Sequence, residues 1–250
     1  MIGIFDSGSG GLTVLKAIRE RLPSSDIVYF GDIKNAPYGD KSSGELGALT
    51  VRAIELLQEQ GAESIVSACN SVSASLAVSL VDALALGPGQ LIEMVGPTVS
   101  ALKGAPERLL LVATPATIRS EIYQNAFRMI GTNVMAVAIP DLAAAIEFGK
   151  GEEEEERLIR AALKGVSLAD FDLLILACTH YPLAAAAFSR ATRLPLIDPA
   201  EAVADRVKKR LWPREVGEGT TRFLVSADTP QFRERLAVLG LGSAPVEVIE

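Results

Sequence analysis

Two cysteines and one histidine are the residues of this 250-residue chain best suited to moving a proton. Cys178 and His180 stand two apart in Leu176-Ala177-Cys178-Thr179-His180-Tyr181-Pro182, after a hydrophobic run from Phe171 to Ala177 that reads as a buried strand. Cys69 has a matching setting, where Ser64-Ile65-Val66-Ser67-Ala68 leads into Cys69-Asn70-Ser71. Each thiol falls where a strand ends and a polar turn opens a helix, the edge at which open α/β sheets bind ligands. A thiol acts as a base or nucleophile only as thiolate, which a helix N-terminus or a nearby cation favours and an apolar pocket disfavours. Asp6, at another strand end, is a candidate proton partner for Cys69. His180 and Glu147 are candidates beside Cys178. Ser7, Asn70, Ser71, Thr114, Thr117 and Thr179 are short polar groups at the same kind of turn, able to hold a carboxylate and an amine.

Three chemistries fit this set. A cysteine hydrolase would use one thiol as nucleophile and His180 as base, leaving the second cysteine without a task. A zinc site could take Cys178, His180 and a carboxylate, but no metal-type spacing is present. Two thiols acting as bases on opposite faces of one carbon would invert that centre, one removing a proton and the other supplying one, with no cofactor. Against all three stands simple packing, since free cysteines are among the most buried residues.

The elements that must position these residues follow from the pattern. Hydrophobic residues make up 49% of the chain and aromatics 5%, so the core is built from Ala, Val, Leu and Ile, as in parallel sheets covered by helices. A net charge of -7 argues against a broad nucleic-acid surface. No uncharged run reaches the roughly 18–20 residues of a membrane span. Met1-Ile2-Gly3-Ile4-Phe5-Asp6 has no basic segment before an apolar one, as a signal peptide would. Two cysteines without framework spacing point to a reducing compartment, and the expectation is a soluble cytoplasmic protein.

Strands alternate with helices throughout, which predicts parallel α/β sheets. Asp6-Ser7-Gly8-Ser9-Gly10-Gly11 is a glycine turn before a helix. It lacks the third glycine of a dinucleotide fingerprint and the Gly-Lys-Ser/Thr of a P-loop, so it reads as an anion-competent helix start or an ordinary tight connection. Pro37-Tyr38-Gly39 is a turn whose ring either caps a pocket or packs on its own loop. Leu91 to Val95 is expected as a strand ending at Gly96-Pro97, and a helix is expected after Asn70. Glu152 to Glu156 read as a solvated helix start. The motif-bearing turns form two sets, one before Gly96 and one from Thr114 to Asp198. Two facing α/β units would bring the strand ends together, with the residues after about Arg206 returning to the first.

Taken together, the motifs resemble the glutamate racemase family within the aspartate/glutamate racemase group. The matching segments are Ile4 to Val14, Tyr29-Phe30-Gly31-Asp32, Pro37-Tyr38-Gly39, Ala68-Cys69-Asn70-Ser71, Ala113 to Ile118, Ile146-Glu147 with Gly149, and Ala177 to Leu183, in family order over nearly the whole chain. The resemblance implies cofactor-independent interconversion of L- and D-glutamate, supplying D-glutamate for peptidoglycan. It implies two facing parallel-sheet α/β domains related by a pseudo-twofold, here 1–95 plus about 206–250 with Asp6 and Cys69, and 96–205 with Glu147, Cys178 and His180, with the active site in the cleft. By the same resemblance Cys69 acts on the D-isomer, assisted by Asp6. Cys178 acts on the L-isomer, assisted by His180 with Glu147. Ser7, Tyr38, Gly39, Asn70, Ser71, Thr114, Thr117 and Thr179 match substrate-binding positions, alongside Asp6, Cys69, Cys178 and His180. No metal is implied. Partners are the small substrate and a second copy of the chain, since members are often dimers. Domain closure is expected, hinged near Gly96-Pro97 and Asp198-Pro199. Ser71 stands where threonine is usual, and Ala143-Ala144-Ala145 is smaller than the family's usual run before Glu147. Aspartate racemase is the near alternative, differing by one methylene of substrate. A non-catalytic anion-binding module is the distant one.

Overall fold

The apolar runs pair into two all-parallel sheets in a computed structural model that describes residues 1–75, 84, 86–87, 89–105, 107–211 and 216–249. The first sheet takes β1 (Ile2–Asp6), β2 (Ile27–Gly31), β3 (Ser64–Ser67), β4 (Leu91–Ile92), β9 (Thr221–Val225) and β10 (Val246–Val248), in the order β10-β9-β2-β1-β3-β4. The second takes β5 (Leu109–Ala113), β6 (Val134–Ala138), β7 (Leu173–Ala177) and β8 (Leu196–Ile197), in the order β6-β5-β7-β8. All described pairings are parallel. The segment β2-β1-β3-β4 therefore has the same strand order as β6-β5-β7-β8. In both sheets the chain reverses its winding at the middle pair, β1/β3 and β5/β7. A reversal leaves a crevice at the carboxyl ends of those strands, because the flanking helices leave in opposite directions. Asp6 ends β1 and Cys69 follows β3; Thr114 follows β5 and Cys178 follows β7.

Central strands such as Ile2 to Phe5 and Leu109 to Ala113 are fully apolar because helices cover both of their faces. Two apolar clusters flank the first sheet and two the second. The helix Val95–Ala101 gives Val95 and Val99 to the second sheet's core. The helix Pro199–Leu211 lays Ala200, Val203, Ala204, Val207 and Leu211 against the first sheet's core, packing on the helix Leu12–Arg21. Burying its Val and Leu side chains contributes roughly 1.5–3 kcal/mol each. Between the two cores the chain thus passes once just before Val95 and once just before Pro199.

Two local expectations are revised. Gly96-Pro97 is not a connection after a strand; it sits in the first turn of the helix Val95–Ala101. Proline is tolerated there because the first helical N–H groups lack intrahelical partners anyway. Glu93 accepts from two of them, Val95 N at 2.5 Å and Gly96 N at 2.7 Å. Nor does either thiol sit at an α-helix start. Cys69 precedes a 3-10 turn, Asn70–Ser75, and Cys178 precedes another, Tyr181–Ala184. The continuation of the helix expected after Asn70 lies, beyond Ser75, outside the described residues, as does Pro88 of the expected break at Gly87-Pro88-Gly89. Among the described residues no helix is long and apolar enough to cross a membrane.

Candidate active site

The two reversal points face one another, and a narrow cavity lies between them. Ser7, Tyr38, Gly39, Cys69, Asn70, Ser71, Thr114, Glu147, Cys178, Thr179 and His180 all line it, with Ala36, Pro37 and Ala143. Asp6 and Thr117 do not reach the cavity; each stands behind a residue that does. The cavity's free volume is only about 10 Å³. That is room for about one water molecule. Larger hollows lie elsewhere on the surface, such as the roughly 380 Å³ groove between Asp32, Arg52 and Ile249, but they hold neither thiol.

The glycine turn after β1 has a role that its sequence did not disclose. It is packed against the second sheet's residues. A Cβ at Gly8 would lie 2.9 Å from Glu147 Oε2, and one at Gly10 would lie 2.7 Å from both His180 Nδ1 and Thr179 Oγ1. Only glycine allows that approach. Ser9, between them, donates to Glu147 Oε2 from its hydroxyl at 2.6 Å and from its N–H at 3.1 Å. Thr179 Oγ1 donates back across the gap to Asp6 Oδ1 at 3.0 Å, and Gly8 N donates to Asp6 Oδ2 at 3.0 Å. The Ser9–Glu147 and Thr179–Asp6 bonds join the two sheets, so the site exists only with the sheets together.

Around Cys178 the groups form a chain. His180 Nε2 lies 2.5 Å from Glu147 Oε2, and its Nδ1 lies 4.0 Å from the Cys178 sulfur. Burial works against an imidazolium here, but the Cys178 sulfur and then Glu147 outweigh it and push His180 up to about 10. Burial likewise works against the Glu147 carboxylate, but His180, then Ser9 and Arg235, hold it down at about 2. The pair is therefore imidazolium and carboxylate at neutral pH. One imidazolium N–H serves the carboxylate, and the other faces the thiol.

Cys69 is in a different environment. Burial pushes its thiol up to about 12, and the Asp6 carboxyl adds to this; contacts from the Ser7 hydroxyl and the Ser71 N–H only partly offset it. Burial also raises Asp6, against the pull of His180, two backbone N–H groups and Thr179. The site thus holds a protonated thiol on one side and a thiol facing an imidazolium on the other.

The remaining wall is hydroxyls and amides. Ser71 Oγ and Thr114 Oγ1 lie 2.9 Å apart across the gap, and Thr117 Oγ1 supports Thr114 at 3.1 Å. Thr114 also caps the helix Pro115–Arg119, with Pro115 at its first position. Ala116 N donates to Gly39 O at 2.7 Å, holding the Tyr38 turn against the second sheet. Tyr38 is shared between the cavity and its own loop. Its ring lines the cavity and packs near Phe5, with centroids 6.1 Å apart, while its hydroxyl donates to Asp32 Oδ2 at 2.6 Å. Tyr123 OH donates to Asn70 Oδ1 at 2.6 Å, leaving Asn70 Nδ2 buried without a partner among the described residues, free to serve an anion. Among the described residues no three His, Cys, Asp or Glu side chains are arranged to hold a metal ion.

Three contributors escaped the sequence reading. Ser9 was hidden inside a glycine turn read as local. Tyr123 is an aromatic at helical spacing, a pattern that denotes core. Arg235 lies 88 positions from Glu147, with no motif around it, yet its guanidinium bonds the Glu147 carboxylate at 3.2 Å; no pattern in the sequence signals this.

The family model described as Asp/Glu/Hydantoin racemase matches residues 11–207. The chain is similar to the glutamate racemase of Cereibacter sphaeroides, 35% identical over 91% of this chain and 92% of that one. It is similar to that of Deinococcus radiodurans at 32% identity, over 97% and 87%. Among solved structures, a glutamate racemase isoform from Bacillus anthracis superposes with a TM-score of 0.89 at 26% identity, over 100% of this chain and 97% of that one. The Francisella tularensis glutamate racemase in complex with D-glutamate gives 0.88 at 28%, with the same coverage.

Proposed function

Because the chain belongs to the Asp/Glu/Hydantoin racemase family, we propose that it interconverts L- and D-glutamate, with Cys69 and Cys178 as the two bases. The observation that carries this reading is that two sulfurs, each following the equivalent strand of two sheets with the same strand order, line one cavity. With the α-carbon between them, one sulfur takes the α-proton, breaking C–H and forming S–H. The other gives its proton to the opposite face, breaking S–H and forming C–H. The Cys69 thiol, protonated at neutral pH, is the donor when L-glutamate enters, and His180 places a cation where negative charge develops on Cys178. In the reverse direction Asp6, its own proton affinity raised, is the group that can accept a proton from Cys69. A thiol is a poor match for so weak a carbon acid. Preorganised donors at the substrate carboxylate, such as Asn70 Nδ2 and the Ser71 and Thr114 hydroxyls, would stabilise the developing charge.

Glutamate cannot enter room for one water, so the sheets must part and close again. We treat them as two domains, jointed at the two passages before Val95 and before Pro199. Entry would break the Thr179–Asp6, Ser9–Glu147 and Ser71–Thr114 contacts, and closure would remake them with water excluded. Free thiols call for a reducing compartment, so we place the protein in the cytoplasm, feeding D-glutamate to peptidoglycan, and expect a homodimer.

Circular dichroism of pure L- or D-glutamate, without pyridoxal phosphate or added metal, should decay to zero with native protein. Cys69→Ser and Cys178→Ser should each abolish turnover. Native-like turnover in either variant would sink the two-base account. Aspartate run in parallel decides the near alternative, because a missing methylene is worth only about 10–200-fold in an apolar pocket.

A further inference from the structure

We propose that Arg235 is a positioning residue that clamps the end of the helix Leu142–Glu147 onto the glycine turn and so aims the Glu147 carboxylate at His180. The inference rests on the racemase reading and adds a residue from the end of the chain to its machinery.

Arg235 projects from the helix Pro230–Val238, which is anchored on the first sheet by Phe232 and Leu236, buried beside Tyr29 and Phe223. Its guanidinium crosses to the second sheet. Nη1 donates to Glu147 Oε2 at 3.2 Å and to the Glu147 carbonyl at 3.3 Å, and also to Ser9 Oγ; Nη2 donates to the Ile146 carbonyl. The carbonyls at a helix C-terminus lack intrahelical donors and favour a cation, and the planar fork of arginine can serve several at once where a lysine ammonium cannot. Ion pairs at the surface usually contribute little. This one is not at the surface, for the Arg235 side chain is 15% exposed and that of Glu147 2%.

The clamp matters because Glu147 is held through one oxygen. Oε2 receives Ser9 N, Ser9 Oγ, His180 Nε2 and Arg235 Nη1, while Oε1 has no partner among the described residues. A carboxylate pinned on one side can turn about its last bond once a donor is lost. The other titratable groups near the pair are Asp6 at the end of β1, Tyr29 on β2 and Cys178, while Glu155 on the helix Glu152–Ala162 lies near Arg235. None of them contacts both the helix end and the glycine turn.

Arg235→Gln and Arg235→Lys test the clamp, each read by glutamate racemisation and by proton NMR of the one imidazole in the chain. Arg235→Gln is expected to lower kcat at least about tenfold, with a smaller change in KM, and to move the His180 titration at least about one pH unit down. Arg235→Lys is expected to recover only a minor part of both. A purely electrostatic role predicts the opposite shift, since loss of a nearby cation raises the histidine. In Arg235→Gln, a kcat within twofold of native or a His180 titration that stays or rises overturns the proposal, as does full rescue by lysine. Should Arg235→Gln not fold, native-like kcat and titration in Arg235→Lys overturn it alone. The titration needs no turnover. Native protein inactive on glutamate, with the shift present, would defeat the racemase reading and leave the clamp standing.

Discussion

Replacing Glu147 by glutamine keeps the shape of the side chain and removes the charge that holds His180 protonated. The rise of His180 from 6.5 to about 10 corresponds to roughly 5 kcal/mol, at about 1.4 kcal/mol per pKa unit. The fall of Glu147 from 4.5 to about 2 corresponds to roughly 3 kcal/mol by the same conversion. Each figure includes other groups, Cys178 for the histidine and Ser9 and Arg235 for the carboxylate, so the smaller, about 3 kcal/mol, is taken for the pair. A folded pKa above the unfolded one gives stability that is complete below 6.5 and lost as pH rises through about 10. The carboxylate's share is present above 4.5 and lost as pH falls through about 2. In Glu147→Gln burial is left opposed only by the sulfur, so the imidazole should titrate well below its native midpoint. Urea unfolding between pH 6.5 and 10 should cost the native protein about 3 kcal/mol more than the variant. Racemisation should fall about 10²-fold or more, the usual contribution of a placed acid–base group. Equal imidazole midpoints in the two proteins, or parallel stability curves, would refute the reasoning.

Two further substitutions probe the supporting contacts. Gly10→Ala places a methyl 2.7 Å from His180 Nδ1 and should lower kcat about a hundredfold by shifting the imidazole; a kcat within threefold of native would show that the close approach is dispensable. Tyr123→Phe leaves the Asn70 carbonyl oxygen buried without its donor, which should cost about 1–3 kcal/mol in urea unfolding and raise KM for glutamate more than it lowers kcat. An unchanged KM would mean that the Asn70 amide does not hold substrate.

Much of the fold was legible because the signals are local. The runs Ile2 to Phe5, Leu109 to Leu111 and Leu173 to Ala177 announce buried strands by composition, and Thr114-Pro115 announces the start of a helix. Less legible was the stretch around Gly96-Pro97. Two apolar residues at 91 and 92 pair with β3, after which Glu93 satisfies a helix start and the strand stops. The 3-10 turns after both thiols were read as α-helices because one turn of either kind uses the same residues. That difference matters, since the expected help from a helix dipole gives way at Cys69 to burial and the Asp6 charge, which raise the thiol.

By itself the amino-acid sequence determined where the thiols, the histidine and the glycine turn fall relative to strand ends, because strands and turns are encoded within a few neighbouring residues. Only the tertiary structure decided which of these groups meet. It set Ser9 and Arg235 on Glu147, Thr179 on Asp6 and Tyr123 on Asn70, and it closed the space between the sulfurs. Those pairings depend on how two separately packed sheets dock, and no short stretch of chain carries that information.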